Sequence, residues 1–175
     1  MPRIREATME DHQALGLITV TASHSAFIGV IPEEDLDFSW TPEVSADNWH
    51  MSFPENTDRG QVFLVAEADD RVTGFAWGRP WAATEGFDAT VQALYVLPTF
   101  HGQGIGRRLL SEVCSRLAHR GATSLEIGCV QENPSCGFYR HLGGVEIGRR
   151  EVRVDRYRTH EILFGWRDLE VLIEP

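Results

Sequence analysis

The segment 96–110 constrains the fold of this chain more than any other. A β-rich run ends just before Pro98, and an amphipathic helical pattern begins after residue 104. Between them stand three glycines at alternate positions, Gly102, Gly104 and Gly106. Glycine lets the backbone approach a ligand without a Cβ atom in the way, and a helix N-terminus offers unpaired N–H groups at the positive end of its dipole. The segment therefore predicts a binding site for an anionic group such as a pyrophosphate.

Two other nucleotide-binding loops do not fit this segment. A dinucleotide fingerprint needs a glycine three positions after Gly104, where this chain has Arg107. A Walker loop needs a lysine, and all 16 basic residues of the chain are arginine. The missing lysine also excludes chemistry through a Schiff base.

The bulk composition is that of an ordinary globular protein. Of the 175 residues, 42% are hydrophobic and 24% charged, which predicts one domain, residues 1–175, around a single core. No apolar run approaches the roughly 18 residues of a membrane span, and residues 1–6 lack the apolar core of a signal peptide. No membrane partner is therefore expected. Three cysteines without metal-type spacing predict a reduced, cytoplasmic setting, and the seven histidines also lack metal spacing, so no metal is expected.

The net charge of −10 argues against general nucleic-acid binding, which needs a basic face. The charge is also uneven along the chain. Residues 1–70 hold 14 Asp and Glu against 3 Arg, whereas residues 104–160 hold 10 Arg against 6 Asp and Glu. This division suits a cationic substrate that meets an anionic cofactor, and a solvated surface without a partner explains it equally well.

The first third of the chain predicts a strand followed by helices. Residues 3–7 alternate as a strand, and a capping box that begins at Thr8 precedes a helix. Pro32, followed by acidic residues, predicts a second helix start. Pro42 predicts a third, whose helix ends near Pro54.

The middle of the chain predicts a hairpin and a central strand. Residues 61–68 and 72–78 are strand-like and join at Asp69-Asp70. Residues 79–87 form a loop rich in aromatic side chains. A strand over residues 88–96 then leads into the glycine turn.

The last third alternates helices with strands. The helix after the glycine turn ends at Gly121, which is a glycine cap. Residues 125–129 alternate as a strand, and residues 134–141 predict a short helix. An antiparallel pair over residues 145–154 and 161–166 closes the chain. The order of elements is that of a mixed α/β protein.

Two motifs on these elements resemble those of one family. The first is Val96-Leu97-Pro98 followed by His101-Gly102-Gln103-Gly104-Ile105-Gly106, and the second is Asn133-Pro134-Ser135-Cys136-Gly137-Phe138-Tyr139-Arg140-His141-Leu142-Gly143-Gly144. The first resembles the acyl-CoA pyrophosphate loop of the GNAT N-acetyltransferase superfamily. The second resembles that family's N-x-x-A-x-x-F-Y signature, shortened by one residue before Phe-Tyr. The order of elements also resembles the family's over residues 4–166.

The resemblance implies a mixed α/β (α+β) fold in one domain. Its central sheet of about seven strands is splayed between the two central strands and flanked by about four helices. It also implies an enzyme that moves an acetyl group from acetyl-CoA to a primary amine by direct attack in a ternary complex. A homodimer is expected as well, because pairing through exposed strands is frequent in the family.

The glycine turn is implied to hold the pyrophosphate of acetyl-CoA. The amides expected to bind it are those of Gly102, Gln103, Gly104, Ile105, Gly106 and Arg107. Arg108 is expected near the adenosine phosphates. His101 stands where the family usually has Gln or Arg and is the expected side-chain contact to the pyrophosphate.

The pantetheine arm is implied to run between the two central strands. Backbone groups of Leu94, Tyr95 and Val96 are expected to pair with it and to polarise the thioester carbonyl. Asn133 is expected to contact the same arm. A helix N-cap explains Asn133 as well, and the two roles are compatible.

The resemblance implies a general acid and leaves the general base open. Tyr139 holds the position of the family's acid for the CoA thiolate, and packing among aromatic neighbours is the alternative. Thr90 stands where many relatives carry a glutamate that serves as base. Asp88, Glu126 and His24 are the candidates here, beside a water molecule activated by backbone carbonyls.

The acceptor site is implied to involve residues 20–55, the loop 79–87 and the last hairpin. His24, Glu33 and Trp81 are the predicted substrate residues, since acidic and aromatic side chains suit a cationic amine. The expected acceptor is a small amine or a peptide amine. The alternative is a degenerate member that binds acyl-CoA as a sensor or partner module, and a plain interaction domain is the third class.

Overall fold

The computed structural model describes residues 2–36, 40–57 and 60–173, and for residues 54–57 it describes the backbone alone. Seven strands and four α-helices form within these ranges. The strands are β1 (Arg3–Glu6), β2 (Val62–Ala68), β3 (Arg71–Arg79), β4 (Ala89–Val96), β5 (Leu125–Val130), β6 (Val145–Val154) and β7 (Tyr157–Trp166). The helices are α1 (His12–Phe27), α2 (Pro42–Thr57), α3 (Ile105–Ala118) and α4 (Ser135–His141). The predicted mixed α/β class is confirmed. No helix in these ranges is long and apolar enough to cross a membrane.

One sheet contains all these strands in the order β1-β2-β3-β4-β5-β7-β6. Neighbouring strands are antiparallel except for β4 and β5, which run parallel. A parallel pair needs a crossover connection, and α3 supplies it between these two strands. The strand order therefore places the glycine turn at the middle of the sheet, directly after β4.

The hairpin between β2 and β3 turns where the sequence predicts it. Asp69 and Asp70 have positive φ angles of 51° and 56°. Two such residues in succession are typical of a type I′ turn, whose twist matches that of the flanking strands. Aspartate tolerates this conformation better than most side chains do.

The start of α1 also follows its prediction. Thr8 N donates to Asp11 Oδ2 at 2.7 Å, and Asp11 N donates to Thr8 O at 3.0 Å. These reciprocal bonds satisfy donors that a helix start leaves unpaired. The capping box that begins at Thr8 is confirmed.

The helix predicted to begin at Pro32 is wrong. The acidic residues after it form a single 3₁₀ turn, Glu33–Asp35, because Leu36 returns to an extended conformation with ψ of 137°. Acidic residues at a helix start stabilise the dipole, but they do not supply the apolar periodicity that continues a helix.

The end of α2 also differs from its prediction. The helix begins at Pro42 as expected and continues to Thr57, past Pro54. A proline removes one backbone donor and disfavours a helix interior. Phe53, only 6% exposed, anchors this part of the helix in the core, and burial of a phenylalanine offsets part of that cost. Residues 58 and 59, between α2 and β2, lie outside the described ranges.

Hydrophobic clusters lie on both faces of the sheet. On one face α3 buries its apolar side, with Leu109, Val113 and Leu117 fully buried. On the other face α1 and α2 cover β2, β3 and β4. These two helices cross closely at Gly16, where a Cβ atom would lie 2.5 Å from Ala46 N. The part of this second face formed by β5, β7 and β6 lies beyond them, and a cavity opens there.

Candidate active site

The two central strands pair only over a short length. Ala89–Val91 pairs with Leu125–Ile127, and the pairing of β4 with β5 ends there. In the pairing of β4 with β3, the register shifts between Trp77 and Gly78 and leaves Gln92 as the extra residue. Such a bulge increases the local twist and bends the strand. The far halves of β4 and β5 therefore diverge and leave a gap, which is the predicted splay.

Backbone groups of β4 point into this gap. Leu97 N donates to a carbonyl of β3 at 2.8 Å, and hydrogen-bonded and non-bonded pairs alternate along an antiparallel ladder. Leu94 and Val96 therefore direct their N–H and C=O groups toward β5, whereas Tyr95 bonds to β3. Val96 O accepts a hydrogen bond from His101 Nε2 at 2.9 Å. The free edge of β4 is suited to pairing with an extended ligand.

The glycine turn has the backbone that its sequence predicts. Gly102 and Gly104 have φ angles of 75° and 76°, in the left-handed region. A Cβ atom would meet nothing within 4 Å at either position, so the conformation, and not space, requires glycine. The first hydrogen bond of α3 runs from Arg108 N to Gly104 O at 3.0 Å. The amides of residues 105–107 precede it and form the positive end of the helix.

Side chains around the turn are engaged with backbone carbonyls. Arg108 Nη1 donates to Pro2 O at 2.8 Å, and Gln103 Nε2 donates weakly to Thr99 O at 3.5 Å. His101 is bound to β4 as described, and Arg107 is exposed on the first turn of α3. His101, Gln103 and Arg108 are therefore held by other parts of the protein, and the predicted anion site rests chiefly on backbone amides.

Tyr139 lies on α4 and belongs to the hydrophobic cluster on the face of the sheet that α3 covers. Its residue is 7% exposed, and its ring packs 5.7 Å from Phe164 and 6.4 Å from Trp166 between centroids. Burial raises the pKa of the Tyr139 phenol.

Asn133 has the helix-capping role that its sequence context allows. Its Oδ1 accepts a hydrogen bond from Ser135 N at 2.8 Å, and its carbonyl accepts one from Cys136 N at 3.0 Å. Both bonds satisfy amides at the start of α4. Contact of Asn133 with pantetheine stays a prediction.

A cavity of about 380 Å³ opens on the face of the sheet beside α1 and α2. It lies over β4, β5, β7 and β6 and under the loop 80–88. Its lining residues are Arg79, Trp81, Ala82, Ala83, Thr90, Val91, Gln92, Glu126, Gly128, Arg150, Glu161 and Leu163. The cavity touches β4 at the bulge where the gap begins, so a ligand in the gap and a ligand in the cavity can meet there.

Glu126 is the most buried charged group of this cavity, with 4% exposure. Its Oε1 accepts hydrogen bonds from Ala83 N at 2.7 Å and Thr84 N at 3.4 Å. Its Oε2 is buried and has no hydrogen-bond partner among the described residues. An unpartnered buried carboxylate oxygen is costly, so this oxygen is a strong acceptor for an incoming N–H donor.

Arg79 and Trp81 lie on the wall formed by the end of β3 and the following loop. The Arg79 guanidinium carbon is 5.5 Å from the centroid of Trp77 and 5.3 Å from that of Trp81. Arg79 Nε is buried without a partner in the part of the chain that the structure describes. Burial lowers the pKa of this guanidinium. Trp81, a predicted substrate residue, is among the residues that line the cavity.

An ion pair closes the opposite wall. Arg150 Nη2 and Nε lie 2.5 Å and 3.1 Å from Glu161 Oε2. The Glu161 carboxylate lies directly over Gly128, where a Cβ atom would meet Glu161 Oε1. Glycine at this position of β5 is therefore what lets the carboxylate lie flat on the strand.

Asp88, a predicted base, holds two strand ends together. Its Oδ2 accepts hydrogen bonds from Thr123 Oγ1 at 2.7 Å, Thr123 N at 2.9 Å and Ser124 N at 3.2 Å. The Thr123 hydroxyl is the largest cause that lowers the pKa of Asp88. Asp88 is exposed just before the first residue of β4 and is absent from the cavity lining. This placement gives no support to Asp88 as the base.

His24 and Glu33, the other predicted substrate residues, lie outside the lining of the cavity. His24 is half-buried in the last turn of α1, and Glu33 is exposed on the 3₁₀ turn. The segment of Glu33 does reach the last hairpin, since Arg156 N donates to Asp35 O at 3.0 Å.

Sequence reasoning missed three charged residues of the cavity, Arg79, Arg150 and Glu161. Arg79 carried a usable signal, because it is the only arginine in the aromatic loop 79–87. The pairing of Arg150 with Glu161 carried none, since it depends on the register between β6 and β7. Their placement follows from tertiary structure.

Two sequence comparisons bear on this site. The acetyltransferase (GNAT) family profile matches residues 27–143. An uncharacterized N-acetyltransferase of Bacillus subtilis, YuaI, is 27% identical over 173 residues, which are 98% of this chain and 96% of that protein. The L-amino acid N-acyltransferase MnaT of Escherichia coli is 35% identical over 135 residues, 75% of this chain and 78% of its own.

A solved structure has the same fold. The structure of yncA from Salmonella typhimurium, determined with its cofactor acetyl-CoA, aligns with a TM-score of 0.70. The alignment covers 97% of this chain and 94% of that one at 22% sequence identity. At this identity the likeness concerns the path of the backbone.

Proposed function

Because this chain belongs to the acetyltransferase (GNAT) family, we propose that it moves an acetyl group from acetyl-CoA to the primary amine of a small acceptor. Glu126 is the general base and Tyr139 the general acid of this reaction. The observation that carries the proposal is Glu126 Oε2, a buried carboxylate oxygen without a partner among the described residues, in a cavity that meets the gap between β4 and β5.

The gap and the glycine turn fit acetyl-CoA, which supplies an activated acyl group when bound. The amides of residues 105–107 would hold the pyrophosphate at the helix N-terminus. The N–H and C=O groups of Leu94 and the N–H group of Val96 would pair with the pantetheine arm as an added strand would, whereas Val96 O already accepts a hydrogen bond from His101. An N–H group on this edge would also polarise the thioester carbonyl.

The base is needed because an alkyl amine is mostly protonated at neutral pH and an ammonium has no lone pair. Two backbone N–H groups hold Oε1 of Glu126 and leave Oε2 as the oriented acceptor. An acceptor ammonium would satisfy Oε2 and then give it a proton.

Glu126 also compensates for a departure from the family pattern. Thr90 stands where many relatives carry a glutamate, and Thr90 pairs with Glu126 across β4 and β5. The carboxylate is therefore presented from the neighbouring strand, toward the same cavity.

The acid is needed because the C–S bond breaks as the new N–C bond forms. The acceptor ammonium loses two protons in the reaction. Glu126 would take the first and release it to solvent before the attack, and would take the second from the nitrogen as the tetrahedral intermediate collapses, while Tyr139 gives its proton to the departing thiolate. Solvent exchange then returns both groups to their starting states. Burial raises the pKa of Tyr139, so the phenol is protonated at neutral pH, although the same shift makes it a weaker acid toward the thiolate.

A small acceptor is favoured by the size of the cavity. Its volume of about 380 Å³ lies at the lower end of the range of small-molecule sites. The relative MnaT is named for action on L-amino acids, which supports a small amine over a peptide amine here.

Release of CoA with a panel of amines tests this function. We expect Glu126→Gln to lower kcat by about 10²–10⁴-fold, the usual contribution of a placed base, with little change in the thermal shift produced by acetyl-CoA. The deficit should shrink as the pH rises, because the free amine then forms without a base.

Glu146→Gln is the matched control, since Glu146 is paired with Arg140 away from the cavity. It should retain the rate and pH profile of the native enzyme. A Glu126→Gln enzyme with unchanged kcat and pH profile would contradict the role of Glu126. Acetyl-CoA binding without CoA release for any amine would instead favour the sensor or partner module.

A further inference from the structure

The cavity contains two charged groups of opposite sign, each with a buried atom that lacks a partner among the described residues. One is Glu126 through Oε2, and the other is Arg79 through Nε. Both residues line the same cavity. A buried polar atom without a hydrogen bond is costly, and one ligand with an acidic and a basic end would satisfy both.

The two groups stand in one row across the sheet. Arg79 pairs with Thr90 across β3 and β4, and Thr90 pairs with Glu126 across β4 and β5. Neighbouring strands are about 4.8 Å apart, so the Cα atoms of Arg79 and Glu126 are separated by roughly 10 Å. Both side chains line the cavity and extend into it from backbone positions on either side of Thr90. We expect a compact ligand with its charges one carbon apart to fit between them.

The other arginine of the cavity differs from Arg79. Arg150 is neutralised by Glu161, whereas Arg79 forms no ion pair with any described residue and lies between Trp77 and Trp81. Aromatic contacts of this kind hold a guanidinium in place and leave its donors available. A guanidinium binds a carboxylate through two parallel hydrogen bonds. Arg79 is therefore a fixed positive charge in the cavity whose N–H groups can bind an anionic group of a ligand.

We propose that Arg79 determines acceptor specificity by binding the carboxylate of an α-amino acid whose amine meets Glu126. This inference rests on the proposed acetyl transfer and adds the acceptor class and the residue that selects it. Glu126 takes the ammonium end, and Arg79 takes the carboxylate end. An amine without a carboxylate leaves Arg79 unsatisfied and is selected against.

Matched acceptors test the inference. We expect native enzyme to use leucine more efficiently than isoamylamine, its decarboxylated analogue, or leucinamide, by about 10–100-fold in kcat/KM. A difference of this size in kcat/KM is expected when a ligand loses its hydrogen bonds to a charged group. In Arg79→Gln the preference should disappear, mainly through a higher KM for leucine, and Arg79→Lys should restore part of it as a point charge. The acetyl-CoA thermal shift should not change, which shows that the variants are folded.

Arg149→Gln is the control, because Arg149 lies next to the cavity residue Arg150 on β6 but does not itself line the cavity. It should keep the native preference. Turnover with an unchanged leucine-to-isoamylamine ratio in Arg79→Gln would overturn the inference and leave the acetyl transfer intact. So would a preference of the native enzyme for a peptide N-terminus over leucine.

A binding measurement separates the two proposals. If no amine releases CoA, the acetyl transfer is wrong, and calorimetric titration of leucine into the CoA-bound protein still tests Arg79. Leucine binding that Arg79→Gln weakens at least about tenfold, with isoamylamine binding unaffected, supports the zwitterion site. Leucine binding that is indifferent to Arg79→Gln, or undetectable in the native protein, overturns it.

Discussion

Thr90 and Glu126 face each other on the paired strands β4 and β5. Thr90 lacks the carboxylate that many relatives carry at this position, but Glu126 supplies one from the neighbouring strand. What distinguishes Glu126 from Asp88 is the place of its second oxygen. Hydrogen bonds hold one oxygen of each carboxylate, Asp88 Oδ2 and Glu126 Oε1, but only Glu126 lines the cavity, where its Oε2 is buried without a partner in the described parts of the chain. A base needs an oxygen with free capacity.

At Tyr139, removal of one hydroxyl separates catalysis from packing. Tyr139→Phe keeps the ring that packs against Phe164 and Trp166, so we expect the acetyl-CoA thermal shift to persist. Turnover should fall more than about tenfold, because the thiolate then leaves without a proton donor. Steady-state CoA release measures this effect.

Tyr157→Phe is the control for Tyr139→Phe, since Tyr157 starts β7 away from the cavity lining. It should behave as the native enzyme. Equal turnover in the two variants would show that Tyr139 only packs.

At the scale of elements, the chain follows its local signals closely. The strand, turn and helix around the three glycines form as predicted, because the turn conformation, the glycine φ angles and the helical periodicity are properties of neighbouring residues. The errors, at the 3₁₀ turn after Pro32 and at the end of α2, occur where charge and proline suggested a boundary. After Pro32 the missing apolar periodicity ended the helical turn, and in α2 the burial of Phe53 carried the helix past the proline.

The three glycines of the turn should differ in their effect on folding. Gly104→Ala should lower the free energy of unfolding by about 1–2 kcal/mol, because alanine must adopt a left-handed φ of 76° there. Gly106 belongs to the first turn of α3, and an added Cβ would make ordinary contacts at 3.7 Å and 3.9 Å. Gly106→Ala should therefore leave stability unchanged or raise it by about 0.5–1 kcal/mol.

Urea unfolding without ligand measures both glycine variants. Equal stability losses would contradict the conformational assignment of Gly104. The acetyl-CoA thermal shift adds a second readout. If the backbone at residue 106 approaches the pyrophosphate, Gly106→Ala should weaken acetyl-CoA binding in a protein that is as stable as the native one.

At the scale of the whole molecule, the uneven charge does not coincide with the cavity. Residues 1–70 hold the acidic excess, but the lining residues fall between residues 79 and 163 and include both signs. Part of the acidic excess is used in folding. Arg5 binds both oxygens of Asp11 at 2.8 Å and Glu67 Oε1 at 2.7 Å, which joins β1, the start of α1 and β2.

This network predicts the response of stability to acid. Burial alone would raise the pKa of Asp11, but the Arg5 guanidinium and the Thr8 amide outweigh it and lower the pKa. The carboxylate therefore stabilises the fold above its unfolded pKa of about 3.9, and this contribution is lost as the pH falls through the lower folded pKa. Asp11→Asn should lower the free energy of unfolding at pH 7 by about 2 kcal/mol.

Urea unfolding between pH 3 and pH 7 checks the Asp11 prediction. Stability of Asp11→Asn should fall less on acidification than that of the native protein, since the variant has no charge to lose there. Glu10→Gln is the control, because Glu10 is an exposed acid beside it. A parallel decline of all three proteins would show that Asp11 does not contribute.

The amino-acid sequence by itself determined the elements, the glycine turn and the family, because capping residues, periodicity and turn residues act over a few positions. It also supplied Glu126 and Tyr139 as candidates without ranking them among their alternatives. Only the tertiary structure decided that Arg79, Thr90 and Glu126 form one row, since Glu126 lies 36 positions after Thr90 and meets it through the crossover of α3. The Glu126 oxygen that lacks a partner is Oε2, because the amides of Ala83 and Thr84 in the loop after β3 bind Oε1. No local sequence pattern encodes that contact.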